Sequence, residues 1–203
     1  MTTHFRDTGA EVAHKDRVAA AKARKQLQRR QFQRRRLIVR TVVIVLAVVA
    51  VVLVPVRLLN RPGRHVESQG RDHIPVGTSH TIRYNSDPPT SGSHYDPSAR
   101  PGIYDEPIPD GYLVHSLEHG YVIISYNVEG MSEQESLELV TRLSEIAEGE
   151  RLWKLIVVPR PGMEHRIALT AWQRIDSMAR VDARRIRRFI SAWRDRGPET
   201  TAN

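Results

Sequence analysis

Tyr121-Val122-Ile123-Ile124-Ser125-Tyr126 is a run of β-branched, aliphatic and aromatic side chains broken by one serine. A short apolar run of this composition reads as a buried strand. The residues after it are regular. Ser132 and Glu135 form a capping box, and Leu137, Val140, Leu143 and Ile146 or Ala147 recur at helical spacing, so residues 132–147 read as a helix. Residues 153–158 (WKLIVV) read as a second buried strand closed by Pro159 and Pro161, and residues 167–172 (IALTAW) as a third. A last helix starts near Asp182. It carries Ile186, Phe189, Ile190 and Trp193 on one face and Arg184, Arg185, Arg187 and Arg188 opposite. The order strand, helix, strand, strand, helix describes an α+β fold, a small sheet of about three to four strands with two helices packed on one side.

Upstream, the texture changes. Residues 65–112 hold most of the prolines and glycines of this half of the chain, with Asp87-Pro88-Pro89-Thr90-Ser91-Gly92-Ser93-His94 as the densest cluster. They read as loop and turn, with a short strand at residues 81–84. Asn60-Arg61-Pro62-Gly63 has the composition of a linker.

Before the linker, residues 37–56 are almost purely aliphatic and unbroken over residues 41–54 (TVVIVLAVVAVVLV). A membrane crossing needs roughly 20 apolar residues, so the expectation is a transmembrane helix at 37–56, with Arg40 one turn from its edge and able to snorkel. Eleven Lys and Arg precede the segment, against Arg57, Arg61, Arg64 and Arg71 after it. The positive-inside rule then places the N-terminus in the cytoplasm and the C-terminal part of the chain outside it. The basic start is too long for a cleaved leader, so the segment reads as a retained signal anchor. The expected organisation is a basic cytoplasmic arm (1–36), the span (37–56), a linker (57–70), an extracytoplasmic α+β domain (71–195) and a flexible tail (196–203), in a single-pass protein of the cell membrane.

Charge is unevenly spread. The chain is +8 overall, but residues 1–36 alone carry eleven basic against three acidic groups, and residues 65–203 carry sixteen against twenty, a net −4. The basic excess therefore belongs to the arm, where anionic lipid headgroups are the expected partner at about 1 kcal/mol per charge. Nucleic acid would use the same charges, but the topogenic reading already accounts for them. Cysteine is absent, which excludes disulfides, thiol nucleophiles and thioredoxin-type redox chemistry.

Pro88-Pro89-Thr90-Ser91-Gly92-Ser93-His94, Gly102-Ile103-Tyr104, His115-Ser116-Leu117-Glu118-His119-Gly120 and Thr170-Ala171-Trp172 follow one another. From about Gly70 to Ile190 the chain resembles the bacterial family catalogued as domain of unknown function 3105, whose paired motifs are PPTSGxH and HSLEHG. The resemblance implies a membrane-anchored context and no activity, so function must come from the side chains.

Seven of the nine histidines, at 65, 73, 80, 94, 115, 119 and 165, lie beyond residue 64. The strongest group is His115, Glu118 and His119. If Asp110 caps a short helix that stops at Gly120, the two histidines stand four apart on one face and can share a metal. His94, after its proline-set turn, could add a third ligand, with Glu118 as a fourth or as a partner of the ligands. Met163 and His165, two apart, make a weaker and softer pair. Imidazole with carboxylate suits zinc, and imidazole with thioether suits copper. The five residues 115–119 also match the HxxEH pattern of inverzincin proteases, in which Glu118 would activate water, but the supporting second helix is missing. Ser116 and Ser93 lack a nucleophile elbow. Three readings stay open: a binding or interaction module with a metal site at His94, His115, Glu118 and His119; a small metal-dependent hydrolase with Glu118 as base; and a structural partner of an envelope protein, whose histidines only hydrogen-bond.

Overall fold

The computed structural model describes residues 17, 22, 33–51, 61–78 and 81–199. The chain divides into two units, residues 1–60 and 61–203.

In the first unit, residues 33–51 are helical (α1). No helix among the described residues is long and apolar enough to cross a membrane, which corrects the expected transmembrane helix. α1 begins with Arg34, Arg35 and Arg36 and carries Arg40, so only residues 41–51 are free of charge. Residues 52–56 of the expected span lie outside the described residues.

The second unit is an α+β fold larger than expected. Its elements are β1 (Arg64–His65), β2 (His73–Ile74), β3 (His94–Tyr95), β4 (Gly102–Ile103), α2 (Asp110–Glu118), β5 (Val122–Tyr126), α3 (Glu133–Gly149), β6 (Leu155–Pro159), β7 (Ile167–Ala171), β8 (Arg174–Met178) and α4 (Ala183–Trp193). Six strands form one sheet in the order β1-β8-β7-β5-β6-β4, and β2 and β3 pair separately. β5 and β6 are parallel, with Ile124 opposite Val157, and are joined through α3. β7 lies antiparallel to β5 on its other side, with Leu169 opposite Ile124. The short strand expected at residues 81–84 does not form, and β8 forms where no strand is expected.

Helices cover both faces of this sheet, not one. Val122, Ile124, Tyr126, Val157, Ile167 and Leu169 pack with Leu139, Leu143, Ile146 and Ala147 of α3 and with Ile186, Phe189, Ile190 and Trp193 of α4. Ile123, Ile156 and Val158 point the other way, onto Leu113 and Leu117 of α2 with Ala99, Tyr104 and Trp172 around them. A strand covered on both faces has no polar side, which is why β5 to β7 read as continuous apolar runs. Each fully buried Leu, Ile or Phe side chain stabilises by about 1.5–3 kcal/mol.

The capping box forms as expected, with Ser132 Oγ accepting from Glu135 N at 3.3 Å and Glu135 Oε2 accepting from Ser132 N at 2.9 Å. The buried stripe of α3 runs through Leu139, Leu143, Ile146 and Ala147, and Leu137 is exposed. Asp182 caps α4, its Oδ1 accepting from Arg185 N at 3.0 Å. Residues 61–66 are built into the unit: β1 pairs with β8, and Trp193 Nε1 donates to Pro62 O at 2.8 Å. Val66 N donates to Gln173 O, and Gln173 N to Thr90 O, each at 3.0 Å. These bonds draw the proline-rich loop onto the face that α2 occupies.

Candidate metal centre

α2 starts at Asp110, with Pro109 at the N-cap and no side-chain cap. Asp110 does not cap it, contrary to the sequence reading, because its carboxylate is taken by Arg160 at 2.6 and 3.1 Å. The helix ends as expected at Gly120, whose φ of +81° and contact with Asp195 leave no room for a Cβ. Gly111 lies against the ring of Tyr95, 2.6 Å from an ideal Cβ position. This approach brings β3 and the preceding loop onto α2. Gly92, at φ +119°, turns that loop beside the Tyr84 ring. Ser91 Oγ accepts from Gln69 N at 3.1 Å, and Ser116 Oγ pins the loop through both the N–H and the C=O of Ala99 at 3.0 Å. Ser116 is thus a structural clasp, its hydroxyl held by main-chain groups.

The loop, β2 and α2 converge on one point. His73, His94, His115 and Glu118 each offer a ligand atom, and these atoms all lie within 4.8 Å of one another. His94, His115 and Glu118 are buried, while His73 is exposed. The rings of His73 and His115 stack at 5.2 Å, and His94 meets His73 at 4.9 Å and His115 at 5.0 Å edge-on.

Hydrogen bonding fixes which ring nitrogens face inward. A carbonyl oxygen only accepts, so the contacts of Nδ1 with Gly92 O for His94 (2.9 Å), Tyr95 O for His115 (2.6 Å) and Glu199 O for His119 (2.9 Å) require Nδ1 to donate. In the neutral ring this leaves the lone pair on Nε2 of all three. His115 Nε2 and His119 Nε2 then face each other at 2.7 Å, an approach that needs a proton or a cation. His94 Nε2 lies 2.9 Å from Glu118 Oε2, one acceptor against another, and this wholly buried nitrogen has no hydrogen-bond partner. Burial first, and then the charges of His119, His94 and His73, hold the His115 ring below its ordinary value of 6.5, against the opposing hydrogen bond to Tyr95 O. A proton is therefore disfavoured at the centre of the group.

The surroundings are asymmetric. Arg71 Nη1 lies 3.7 Å from Glu118 Oε1 and 3.6 Å from Glu199 Oε1. Residues 196–199, the described part of the segment expected to be a flexible tail, lie against the end of α2. Asp195 N donates to Gly120 O at 2.7 Å and Glu199 N to Glu118 O at 3.1 Å. An ideal Cβ on Gly197 would lie 1.9 Å from Glu118 O, and Lys154 anchors Asp195 at 2.6 Å.

Of the residues singled out in the sequence, the structure brings together His94, His115 and Glu118. His119 reaches the group through His115 but stands outside the four that lie mutually within 4.8 Å. His73 takes that place, and no local pattern marks it, because it arrives through the parallel pairing of β2 with β3, His73 opposite His94. Met163 is buried, its carbonyl accepting from Asn127 Nδ2 at 2.8 Å, whereas His165 is exposed and borders a separate cavity with Arg64, Glu164 and Asp176. His80 lies outside the described residues.

Residues 75–203 match the family model described as "Protein of unknown function (DUF3105)", and the chain belongs to that family. No curated protein and no solved structure matches it.

Proposed function

We propose that this family member is a metal-binding module that holds one divalent ion of the zinc class through His94, His115 and Glu118, with His73 as the fourth ligand. One observation carries the reading: buried acceptors converge with no donor among them, and His94 Nε2 is left unsatisfied. Buried polar groups otherwise find partners. A metal supplies the missing one, and main-chain carbonyls holding the far ring nitrogen are the usual way a ligating imidazole is oriented. Tetrahedral zinc at about 2.0–2.2 Å from each ligand places the ligand atoms about 3.4 Å apart, which lies between the 2.9 Å of His94 Nε2 to Glu118 Oε2 and the 4.8 Å limit of the group. Imidazoles with a carboxylate favour zinc over copper. Binding is supported over hydrolysis by the setting of Glu118, which is 2% exposed and faces His94 Nε2 at 2.9 Å. A general base needs instead to reach a water and its substrate. The lipid contact of the basic arm rests on its charge alone and forms part of the same proposal; binding to vesicles of anionic lipid tests it.

The direct test loads the purified full chain with zinc and measures metal content and affinity. One bound ion per chain is expected, lost in His94→Ala and His115→Ala. Failure to bind zinc or copper even in micromolar excess would overturn the reading and leave a hydrogen-bonded scaffold.

A further inference from the structure

The four ligands differ in how they are held. His115 and Glu118 sit on α2, which packs against the sheet, His94 sits on β3, which packs against α2, and the rings of the two histidines are tied to carbonyls of the same compact region. His73 is attached differently. Its segment is held by Gly92 N donating to Gly70 O at 3.1 Å, His94 N to Asp72 O at 3.0 Å and Gln69 N to Ser91 Oγ at 3.1 Å. Its side chain is 49% exposed, and its Nδ1 lies 3.7 Å from Oδ1 of Asp96, which is 85% exposed. The His73 ring forms the outer wall of the cluster, stacked on His115.

The other approaches are guarded. The sheet and α2 close the inner side, and residues 195–199 lie across the end of α2 beside His119. The Arg71 guanidinium stands between the Glu118 and Glu199 carboxylates, where its charge repels an approaching cation. On the remaining side an exposed carboxylate and an exposed imidazole sit together, a combination that attracts a divalent ion.

Taking the proposed metal centre as its basis, we infer that a divalent transition metal enters and leaves by ligand exchange at the His73–Asp96 edge, passing directly to or from an incoming imidazole or carboxylate donor. The incoming donor forms a bond to the ion as the His73 ring leaves with its lone pair, and the ion keeps its oxidation state throughout. Three buried ligands retain the ion during the exchange, so it is never free in solution. Structural zinc sites, by contrast, are closed.

The experiment mixes the zinc-loaded full chain with increasing concentrations of a chromophoric chelator and follows transfer. The expected rate rises in proportion to chelator concentration. His73→Ala leaves a permanently open position, and should speed transfer by about tenfold or more while weakening affinity by about 10–100-fold. Asp96→Asn should slow loading without moving the final occupancy. A transfer rate independent of chelator concentration, and unchanged in His73→Ala, would overturn the inference while leaving the metal centre intact. A wild-type chain that binds no ion would remove both.

Discussion

Replacing Glu118 with glutamine separates a site built for a cation from a network built for stability. Glu118 Oε2 lies 2.9 Å from His94 Nε2, and Oε1 lies 3.7 Å from Arg71, whose side chain is 54% exposed. A carboxylate brings only acceptors to His94 Nε2, itself an acceptor once Nδ1 donates to Gly92 O. Glutamine has the same shape and brings an N–H₂ donor to the same distance. Satisfying a buried polar group recovers about 1–3 kcal/mol. The exposed Arg71 contact that is lost is worth about 0–1 kcal/mol. The net for the metal-free protein is a gain of about 1–2 kcal/mol, or roughly 3–6 °C in Tm for a unit of this size. Zinc affinity moves the opposite way, falling by about 100-fold or more as a ligand is lost. Thermal unfolding of metal-free and zinc-loaded protein, with calorimetric titration, reads both signs. A purely structural network predicts a loss of about 3–5 kcal/mol from breaking a buried pair; a lower metal-free Tm together with unchanged zinc affinity would refute the reasoning.

Three further outcomes are expected. Gly111→Ala places a Cβ 2.6–2.7 Å from the Tyr95 ring, so it should cost about 1–3 kcal/mol by overpacking and weaken zinc binding through the Tyr95 carbonyl that orients His115. Leu143→Ala, on the opposite face of the sheet, should cost about 2–5 kcal/mol yet leave the zinc affinity of the folded protein unchanged, as titration well below its Tm would show. Because burial and the neighbouring His119, His94 and His73 depress the His115 value below 6.5, the unfolded chain takes up this proton first as pH falls. The metal-free protein therefore keeps this stability above pH 6.5 and loses it as pH drops through the folded-state value. His115→Phe should flatten the fall in Tm between about pH 7 and pH 5, even with Glu118 and the remaining imidazoles in place.

The elements legible in the sequence are those specified by neighbours in the chain. The Ser132–Glu135 box announces α3, Asp182 announces α4, and the runs at β5, β6 and β7 announce themselves as strands. Their lack of alternation also holds the answer to the layering, since a strand apolar on both sides needs cover on both, and α2 supplies the second layer. β8 is hidden because Arg174-Ile175-Asp176-Ser177-Met178 is half polar, with Asp176 bonded to Arg185. No helix among the described residues is long and apolar enough for the crossing expected at 37–56: α1 carries Arg34, Arg35, Arg36 and Arg40, and residues 52–56 lie outside the described residues. Within the site, the four-residue spacing of His115 and His119 foretells their contact, and the rigid turn before His94 foretells its reach. Nothing local could foretell His73, whose place is set by main-chain pairing between segments twenty residues apart.

Residues 195–199 carry a practical lesson for handling the protein. The Glu199 carbonyl orients His119, and Gly197 fits only because it has no side chain. A polyhistidine purification handle fused on the C-terminal side of Glu199 would add spare imidazoles close to the proposed metal centre and tug on the clasp that holds His119. Material prepared that way would report the chemistry of its handle, so any label belongs at the opposite end of the polypeptide.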